Sequence, residues 1–318
     1  MTSSGKAGLS GKAAIAGIGA TDFSKNSGRS ELRLAAEAVL DALDDAGLAP
    51  SDVDGLVTFT MDSNLETAVA RSTGIGDLKF FSQIGYGGGA AAATVQQAAL
   101  AVATGVAEVV VAYRAFNERS EFRFGQVMTG LTVNADSRGV EYSWSYPHGL
   151  STPAASVAMI AQRYMHEYGA TSADFGAVSV ADRKHAATNP KAHFYGKPIT
   201  IEDHQNSRWI AEPLRLLDCC QETDGGVAIV VTTPERAKDL KHRPAVIEAA
   251  AQGRLGASSS IRGRMLDLGG DASWRSPGTG GTTVTEQIER EAFRIVHRGI
   301  PVGRGVLDGL VHGRKSAQ

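Results

Sequence analysis

Residues 80–107 of this chain contain no Asp, Glu, Lys, Arg or His, and this uncharged stretch limits the folds that the sequence can adopt. It starts as a short apolar run, passes through four glycines between positions 85 and 89, and continues as an alanine-rich segment up to Gly105. The pattern predicts a strand, a turn and a helix. Because the helix has no charged side, we expect it to be buried in the middle of a layered domain.

The same stretch does not have the composition of a membrane-spanning helix, because Thr94, Gln96, Gln97 and the glycines interrupt its hydrophobicity. The net charge of −2 comes from intermixed charges, so we expect neither nucleic acid nor a membrane surface as a partner. The only two cysteines are adjacent, Cys219 and Cys220, which is typical of a reducing compartment. We therefore expect a cytoplasmic protein.

Strand and helix patterns alternate through the first 116 residues. Parallel strands require a crossover connection, and a helix is the usual one, so this alternation predicts an α/β domain with a mostly parallel, buried sheet. The predicted strands are residues 12–19, 53–60, 80–84 and 108–116, and the first helix is residues 31–46, ended by Gly47.

The remaining chain divides into a long insertion, a second run of elements and a poorly patterned end. Residues 117–153 are longer than a normal connection, which is typical of a binding loop or cover; the alternative is an excursion that faces a dimer partner or has no function. The elements predicted beyond it are helices at 154–168 and 172–188, a short segment at 214–217, a turn at 219–226, a strand at 227–232, a surface helix at 234–240 and a strand at 245–250.

We divide the chain into a flexible tail (1–11), one domain (12–252) and a C-terminal segment (253–318). The tail lacks the apolar core of a signal peptide. From about residue 260 the chain gains Gly and Arg and loses its periodicity, which suggests a shifted reading frame or a deletion.

Several separated motifs resemble the thiolase superfamily. They are GYGGGAAAATVQQAALAVATG from residue 85, YRAFNERS from residue 113, RKHAATNPKAHF from residue 183 and LRLLDCCQETDGGVAIVVT from residue 214. Together they are similar to the sterol-carrier, lipid-transfer-protein branch, and most of all to the aldolases of bacterial sterol side-chain degradation. The resemblance covers about residues 12–252.

The resemblance implies a layered αβα fold with a buried central helix. A thiolase has a second pseudo-symmetric half, which is absent or degenerate in this sequence, so that half's histidine and tyrosine acid–base groups cannot be assigned here. The resemblance further implies a homodimer formed through residues 80–84, and a small OB-fold partner protein.

A thiolase also carries a nucleophilic cysteine at the start of the central helix, where a glycine turn and the helix dipole favour the thiolate. That position falls on Gly88 here, and residues 80–107 contain no cysteine, which excludes a thiolase-type acyl-enzyme. The aldolase branch implies retro-aldol cleavage of a β-hydroxyacyl-CoA, in which CoA belongs to the substrate and no other cofactor is needed. The alternatives are a catalytically inactive binding subunit and, as the poorest chemical match, an acetyl-CoA acyltransferase.

The glycine turn supplies the first candidate site residues. The backbone N–H groups of Gly87, Gly88 and Gly89 are candidate donors to an oxyanion or a thioester carbonyl, although close packing also requires glycine. Tyr86 is a candidate acid or base, although a tyrosine beside such a turn is more often a packing residue. The cluster does not match GxGxxG, so we expect no dinucleotide site.

Two further groups are candidates for binding the substrate and its CoA. Asn117, Glu118 and Arg119 follow a predicted strand, at the edge where open α/β sheets bind ligands. The cationic group, which can reach CoA phosphates or simply complement a helix dipole, is Arg183, Lys184 and His185. No histidines have metal-ligand spacing, so we predict no metal site.

Overall fold

The computed structural model of the chain describes residues 8–59, 64–84, 91–121, 123 and 146–250. Its centre is a six-stranded sheet in the order β3-β2-β4-β7-β1-β8, and β5 and β6 form a separate hairpin. The strands are β1 (Ala14–Ala20), β2 (Gly55–Phe59), β3 (Phe80–Ile84), β4 (Val109–Asn117), β5 (Trp209–Ala211), β6 (Leu214–Arg215), β7 (Asp224–Thr232) and β8 (Ala245–Val246).

Strands β1 to β4 run in one direction, which confirms the mostly parallel sheet. Strand β2 pairs in parallel with both β3 and β4. Strand β7 is antiparallel to β4 on one side and to β1 on the other. Strands β1 and β2 are therefore parallel without being neighbours, because β7 returns from a distant part of the chain and inserts between β1 and β4.

Helix α1 (Glu31–Ala46) has the predicted bounds and covers one face of the sheet. The side chain of Ser30 accepts a hydrogen bond from the Arg33 backbone N–H, and Gly47 ends the helix with φ of 75°. Gly17 of β1 faces the helix so closely that a Cβ there would lie 2.5 Å from the Ala42 carbonyl oxygen. The glycine thus permits close packing of α1 on β1.

Helix α3 (Ala91–Ala103) is the uncharged helix, and it covers the opposite face. Ala98, Ala99 and Val102 are buried against the sheet, whereas Leu100 on the other side is 39% exposed. The prediction of a buried helix is thus confirmed for the side that contacts the sheet. Helix α2 (Glu66–Thr73), which the sequence did not predict, packs beside α1.

A second group of helices follows the insertion. Helices α4 (Pro153–Tyr168) and α5 (Ser172–Thr188) match the predicted elements, and α6 (Ile201–Asn206) packs against α5. Helix α7 (Pro234–Ala237) is shorter than predicted and is not purely a surface helix, since Ala237 packs against β1. Strand β7 starts three residues earlier than predicted, because Asp224 pairs with Asn117 at the end of β4.

The N-terminal residues 1–7, most of the 117–153 insertion and the segment 253–318 lie outside the described residues. The predictions for them stay predictions. Within the part that the structure describes, no helix is long and apolar enough to cross a membrane.

Candidate functional site

The carboxyl ends of β1 to β4 lie at one edge of the sheet, and β7 begins there. Open α/β sheets bind their ligands outside this edge. Residues 113–117 of strand β4 continue past the last residue paired with β2, and β7 stays paired with β4 as far as Asn117. The loops that follow β1 and β4 therefore meet the start of β7 at this edge.

Asn117, predicted to contact substrate, is 1% exposed and holds these loops together. Its backbone N–H donates to Glu31 Oε1 at 3.1 Å, and its Nδ2 donates to the Arg29 carbonyl at 2.8 Å. Its Oδ1 accepts a hydrogen bond from Ser27 Oγ at 3.2 Å. The side chain is thus committed to the protein itself, and burial keeps it away from a substrate.

Asp224, which sequence reasoning did not single out, is the second buried polar residue of this edge, with 0% exposure. Its Oδ1 accepts the backbone N–H groups of Arg119 at 2.9 Å and Ser120 at 3.0 Å, and its Oδ2 accepts that of Ser27 at 2.9 Å. Burial on its own raises the pKa of Asp224, but the hydrogen bonds from Ser120, Ser27 and Arg119 outweigh it and lower the pKa. The sequence feature that could have indicated this role is the position of Asp224 directly before Gly225 and Gly226, where β7 begins.

Glu118 lies in the turn that Asp224 holds, and it is half-buried. Burial, and then the nearby Glu222 carboxylate, raise the pKa of Glu118, while Arg114 acts in the opposite direction. Glu222 is bonded by the Arg123 guanidinium at 2.7 Å. A carboxyl group with a raised pKa is suited to transferring a proton, so Glu118, which the sequence predicts as a substrate-binding residue, is also a candidate for proton transfer.

Arg114 is a further site residue that sequence reasoning missed. Its neighbours Val110 and Ala112 face α3, so strand alternation places the Arg114 side chain on the same side. Its guanidinium carbon lies 4.8 Å from the centre of the Phe59 ring and 5.6 Å from that of Phe116. An arginine inside an otherwise apolar strand was the signal available in the sequence.

Tyr86, Gly87, Gly88 and Gly89 lie outside the described residues, so their roles stay predictions. The described chain reaches Ile84 on one side of this turn and Ala91 on the other.

Arg183 lines a cleft of about 480 Å³ beside α5. None of the residues described above for the edge of the sheet lines this cleft. Its guanidinium lies 3.6 Å from the centre of the Phe194 ring and donates to the Lys197 carbonyl at 3.2 Å. Burial lowers the pKa of Arg183. Lys184 and His185 are exposed and do not line this cleft, so the structure does not join the three cations into one site.

His204 and Asp218 tie the helices around this cleft together. The fully buried His204 has its Nε2 2.6 Å from Asp218 Oδ1, and Ser179 Oγ donates to the same oxygen at 3.2 Å. The complete burial of His204 indicates a structural role.

Cys219 and Cys220 follow Asp218 and also line the cleft. Burial, and then the Asp218 carboxylate, raise the pKa of the Cys219 thiol. A nucleophilic cysteine needs a lowered pKa, so this environment opposes covalent catalysis at Cys219. The part of the chain that the structure describes holds no group of three or more His, Cys, Asp or Glu residues able to bind a metal.

A mixed sheet lies between α1 and the uncharged helix α3, and β7 is inserted antiparallel within it; these features define a thiolase-like layered α/β domain. Residues 13–235 match the thiolase N-terminal domain family, and the chain belongs to this family.

Two known relatives share a high sequence identity with this chain. The chain is 83% identical over 245 residues, 77% of its length, to the 17-hydroxy-3-oxo-4-pregnene-20-carboxyl-CoA lyase of Mycobacterium tuberculosis. It is 70% identical over 245 residues, again 77% of its length, to the steroid side-chain-cleaving aldolase of Thermomonospora curvata. The chain spans 64% and 63% of the lengths of these two relatives.

Among solved structures, the chain is similar to the Ltp2-ChsH2(DUF35) aldolase, with a TM-score of 0.74 and 68% identity. The match covers 80% of this chain and 64% of the solved one. The predicted membership in the aldolase-like branch of the thiolase superfamily is thus confirmed.

Proposed function

We propose that this protein is a thiolase-like carbon–carbon lyase that cleaves the side chain of a steroid β-hydroxyacyl-CoA by a retro-aldol reaction. The observation that carries the proposal is the 83% identity to a 17-hydroxy-3-oxo-4-pregnene-20-carboxyl-CoA lyase. The absence of any cysteine from residues 80–107 supports it, because carbon–carbon cleavage of this type needs no acyl-enzyme.

The chemistry follows from the substrate named for that relative. Its hydroxyl is on C17 and its carboxyl-CoA is on C20, so the hydroxyl is β to the thioester. A base removes the hydroxyl proton, the C17–O bond becomes a ketone, and the C17–C20 bond breaks. The electron pair of that bond moves to C20 and onto the thioester oxygen as an enolate. A proton then returns to C20, which yields a 17-ketosteroid and propionyl-CoA without an oxidant or a reductant.

The reaction requires a proton carrier and donors to the enolate oxygen. Among the described residues, we assign the first role to the half-buried Glu118, because burial and then the nearby Glu222 carboxylate raise its pKa. We assign the second role to the backbone N–H groups of Gly87, Gly88 and Gly89, with Tyr86 as an additional acid or base. Arg183 and its exposed neighbours Lys184 and His185 are proposed contacts for CoA.

We also propose two protein partners. The solved aldolase to which the chain is similar contains ChsH2(DUF35), which supports a partner protein for this chain. We propose that this partner is the small OB-fold protein expected from the resemblance. A homodimer would form through β3. That strand lies at the edge of the sheet, and its Phe81 is 62% exposed, as pairing with a second copy requires.

The test is to incubate the full chain, with and without a co-expressed DUF35 partner, with 17-hydroxy-3-oxo-4-pregnene-20-carboxyl-CoA. Mass spectrometry should detect propionyl-CoA and the 17-ketosteroid in equal amounts. Release no faster than with the partner alone would overturn the lyase proposal. Complex formation without release would instead support the inactive binding subunit.

A further inference from the structure

We propose that His204 is a positioning residue: through its hydrogen bond to Asp218, it holds the two walls of the cleft beside α5 at the spacing that the CoA part of the substrate requires. This inference deepens the proposed function and rests on it for the identity of the ligand. Its basis is the lining of the cleft, the complete burial of His204 and a network of hydrogen bonds that joins the elements around the cleft.

The cleft has the size and the lining of a small-molecule site. Its volume of about 480 Å³ lies within the roughly 300–1,000 Å³ that is common for such sites, and its lining is mostly apolar. One wall is α5, and the other is the segment 214–221. Arg183 is the cation that the described residues contribute to the lining. An anionic ligand with a long uncharged arm fits these walls, and CoA is such a ligand because its phosphates are anionic and its pantetheine arm is not.

Asp218 ties the two walls of this cleft together. It lies in the segment 214–221, and its Oδ1 accepts a hydrogen bond from Ser179 Oγ of α5 at 3.2 Å. The same oxygen lies 2.6 Å from His204 Nε2, and Oδ2 accepts the backbone N–H of Arg215 at 2.7 Å. Both carboxylate oxygens are thus used, and the side chain is only 6% exposed. Burial strengthens these bonds, because little water competes with the donors.

The hydrogen bonds of His204 assign the proton of its ring to Nε2. The ring is fully buried, and its Nδ1 lies 3.0 Å from Gln205 Nε2. An amide nitrogen donates its hydrogens, so Nδ1 accepts, and Nε2 carries the proton that it donates to Asp218. Gln205 Nε2 also donates to Ser172 Oγ at 3.3 Å, and the same hydroxyl oxygen accepts Arg215 Nε at 3.2 Å. The network therefore runs from α6 through α5 to the second wall.

The packing of α5 leaves the ring of His204 little room to shift. Gly176 lies against the ring, and a Cβ at this position would be 2.7 Å from Nδ1. Ser179 follows Gly176 by three residues and so lies on the same side of α5. Without the Nε2 donor, the buried carboxylate of Asp218 loses a partner, which is costly unless it turns towards water. Such a turn moves the segment that forms the second wall.

The location of the cleft predicts which kinetic constant His204 controls. None of the residues described for the edge of the sheet lines the cleft, whereas proton transfer is proposed at Glu118 on that edge. A part of the substrate that binds away from the reacting atoms contributes equally to the ground state and to the transition state. A change in the spacing of the walls should therefore raise KM and leave kcat unchanged.

The first experiment measures binding and does not depend on turnover. The full chain, alone and with a co-expressed DUF35 partner, is titrated calorimetrically with CoA. His204→Leu replaces the ring with an apolar side chain and should weaken CoA affinity about tenfold, since a buried hydrogen bond to a charged group is lost. His204→Gln should restore most of the affinity, because its amide nitrogen can donate to Asp218 in place of Nε2. His166→Leu, at an exposed histidine of α4, is the control and should bind as the wild type does.

A milder variant keeps the test decisive if His204→Leu does not fold, which thermal unfolding will show. Ser172→Ala removes the outer link of the network without altering the buried pair, and it should weaken CoA affinity about threefold, as expected for one neutral hydrogen bond. Ser172 does not line the cleft, so this effect cannot come from a lost contact with the ligand.

The second experiment measures steroid cleavage by the same variants. The KM for the steroid thioester should rise about tenfold in His204→Leu, with kcat within about twofold of the wild type. If the wild type releases no product, the lyase proposal fails and the titration alone decides the role of His204. Wild-type CoA affinity in a folded His204→Leu or in Ser172→Ala would overturn the inference. A His204→Gln variant as weak as His204→Leu would also overturn it, as would a wild-type chain that does not bind CoA.

Discussion

The carboxylate of Asp224 accepts the backbone N–H of Ser27 at 2.9 Å, although the two residues are 197 positions apart in the chain. The other oxygen of the same carboxylate holds Arg119 and Ser120. One buried side chain at the start of β7 thus fixes both the loop after β1 and the turn that carries Glu118.

Replacing Asp224 with Asn should reduce the free energy of unfolding at pH 7 by about 3 kcal/mol, because three partly buried hydrogen bonds from backbone N–H groups lose their charged acceptor. The folded-state pKa of Asp224 lies below its ordinary value of 3.8. Its contribution is therefore complete above that value and is lost as the pH falls through the lowered pKa. Urea unfolding between pH 7 and pH 2 should show a smaller acid-dependent loss in the variant. Asp77→Asn, at an exposed position, is the matched control, and equal stability of the two variants at pH 7 would contradict this role.

Replacing Glu118 with Gln should leave the fold intact at pH 7 or stabilise it slightly, yet reduce steroid cleavage at least tenfold. The raised pKa means that this carboxyl group favours the folded state below its ordinary pKa of 4.5, an advantage that is lost as the pH rises through the raised folded-state pKa. Unfolding and cleavage should both be followed from pH 4 to pH 8, with the exposed Glu235→Gln as control. Unchanged cleavage in Glu118→Gln would remove Glu118 from the mechanism.

Replacing Gly176 with Ala should destabilise the protein by about 2 kcal/mol through overpacking. A Cβ at this position would lie 2.7 Å from Nδ1 of the buried His204. Alanine is otherwise the better helix former, so a net loss identifies the clash. Gly76→Ala, where a Cβ meets no atom within 4 Å, should be nearly neutral in the same urea unfolding measurement. A fully stable Gly176→Ala would show that His204 can move.

Replacing both Cys219 and Cys220 with Ser removes every thiol from the chain. Because the proposed reaction forms no acyl-enzyme, kcat for steroid cleavage should stay within about twofold of the wild type. Cys219 should also react slowly with iodoacetamide at pH 7, because burial raises the pKa of its thiol. Loss of cleavage in the double variant, despite an unchanged melting temperature, would point back to covalent catalysis.

Elements with strong local signals were predicted to the residue. Helix α1 begins at a Ser30 cap and ends at Gly47, and helix α5 begins after a Thr171–Asp174 capping box. Strand β3 is bounded by its apolar run. Helix α2 escaped prediction because its eight residues are short and have no side-chain cap.

The candidate site was less predictable. Asn117 ends β4 and Glu118 follows it, but burial and hydrogen bonds commit the Asn117 side chain to the loops, while burial and then the Glu222 carboxylate raise the pKa of Glu118. The roles of Asp224 and Arg114 depend on partners far away in the chain, which periodicity does not reveal.

The sequence by itself determined that the chain forms an α/β domain around an uncharged helix and that residues 80–107 hold no nucleophilic thiol, since composition and local periodicity are properties of the chain alone. Only the tertiary structure decided that β7 lies antiparallel between β4 and β1. It also placed Asp224 and Arg114 near the edge of the sheet where the carboxyl ends of β1 to β4 lie. Strand order depends on which distant segments bury each other's surfaces. The pKa and the role of a polar side chain in turn depend on the neighbours that this burial brings together.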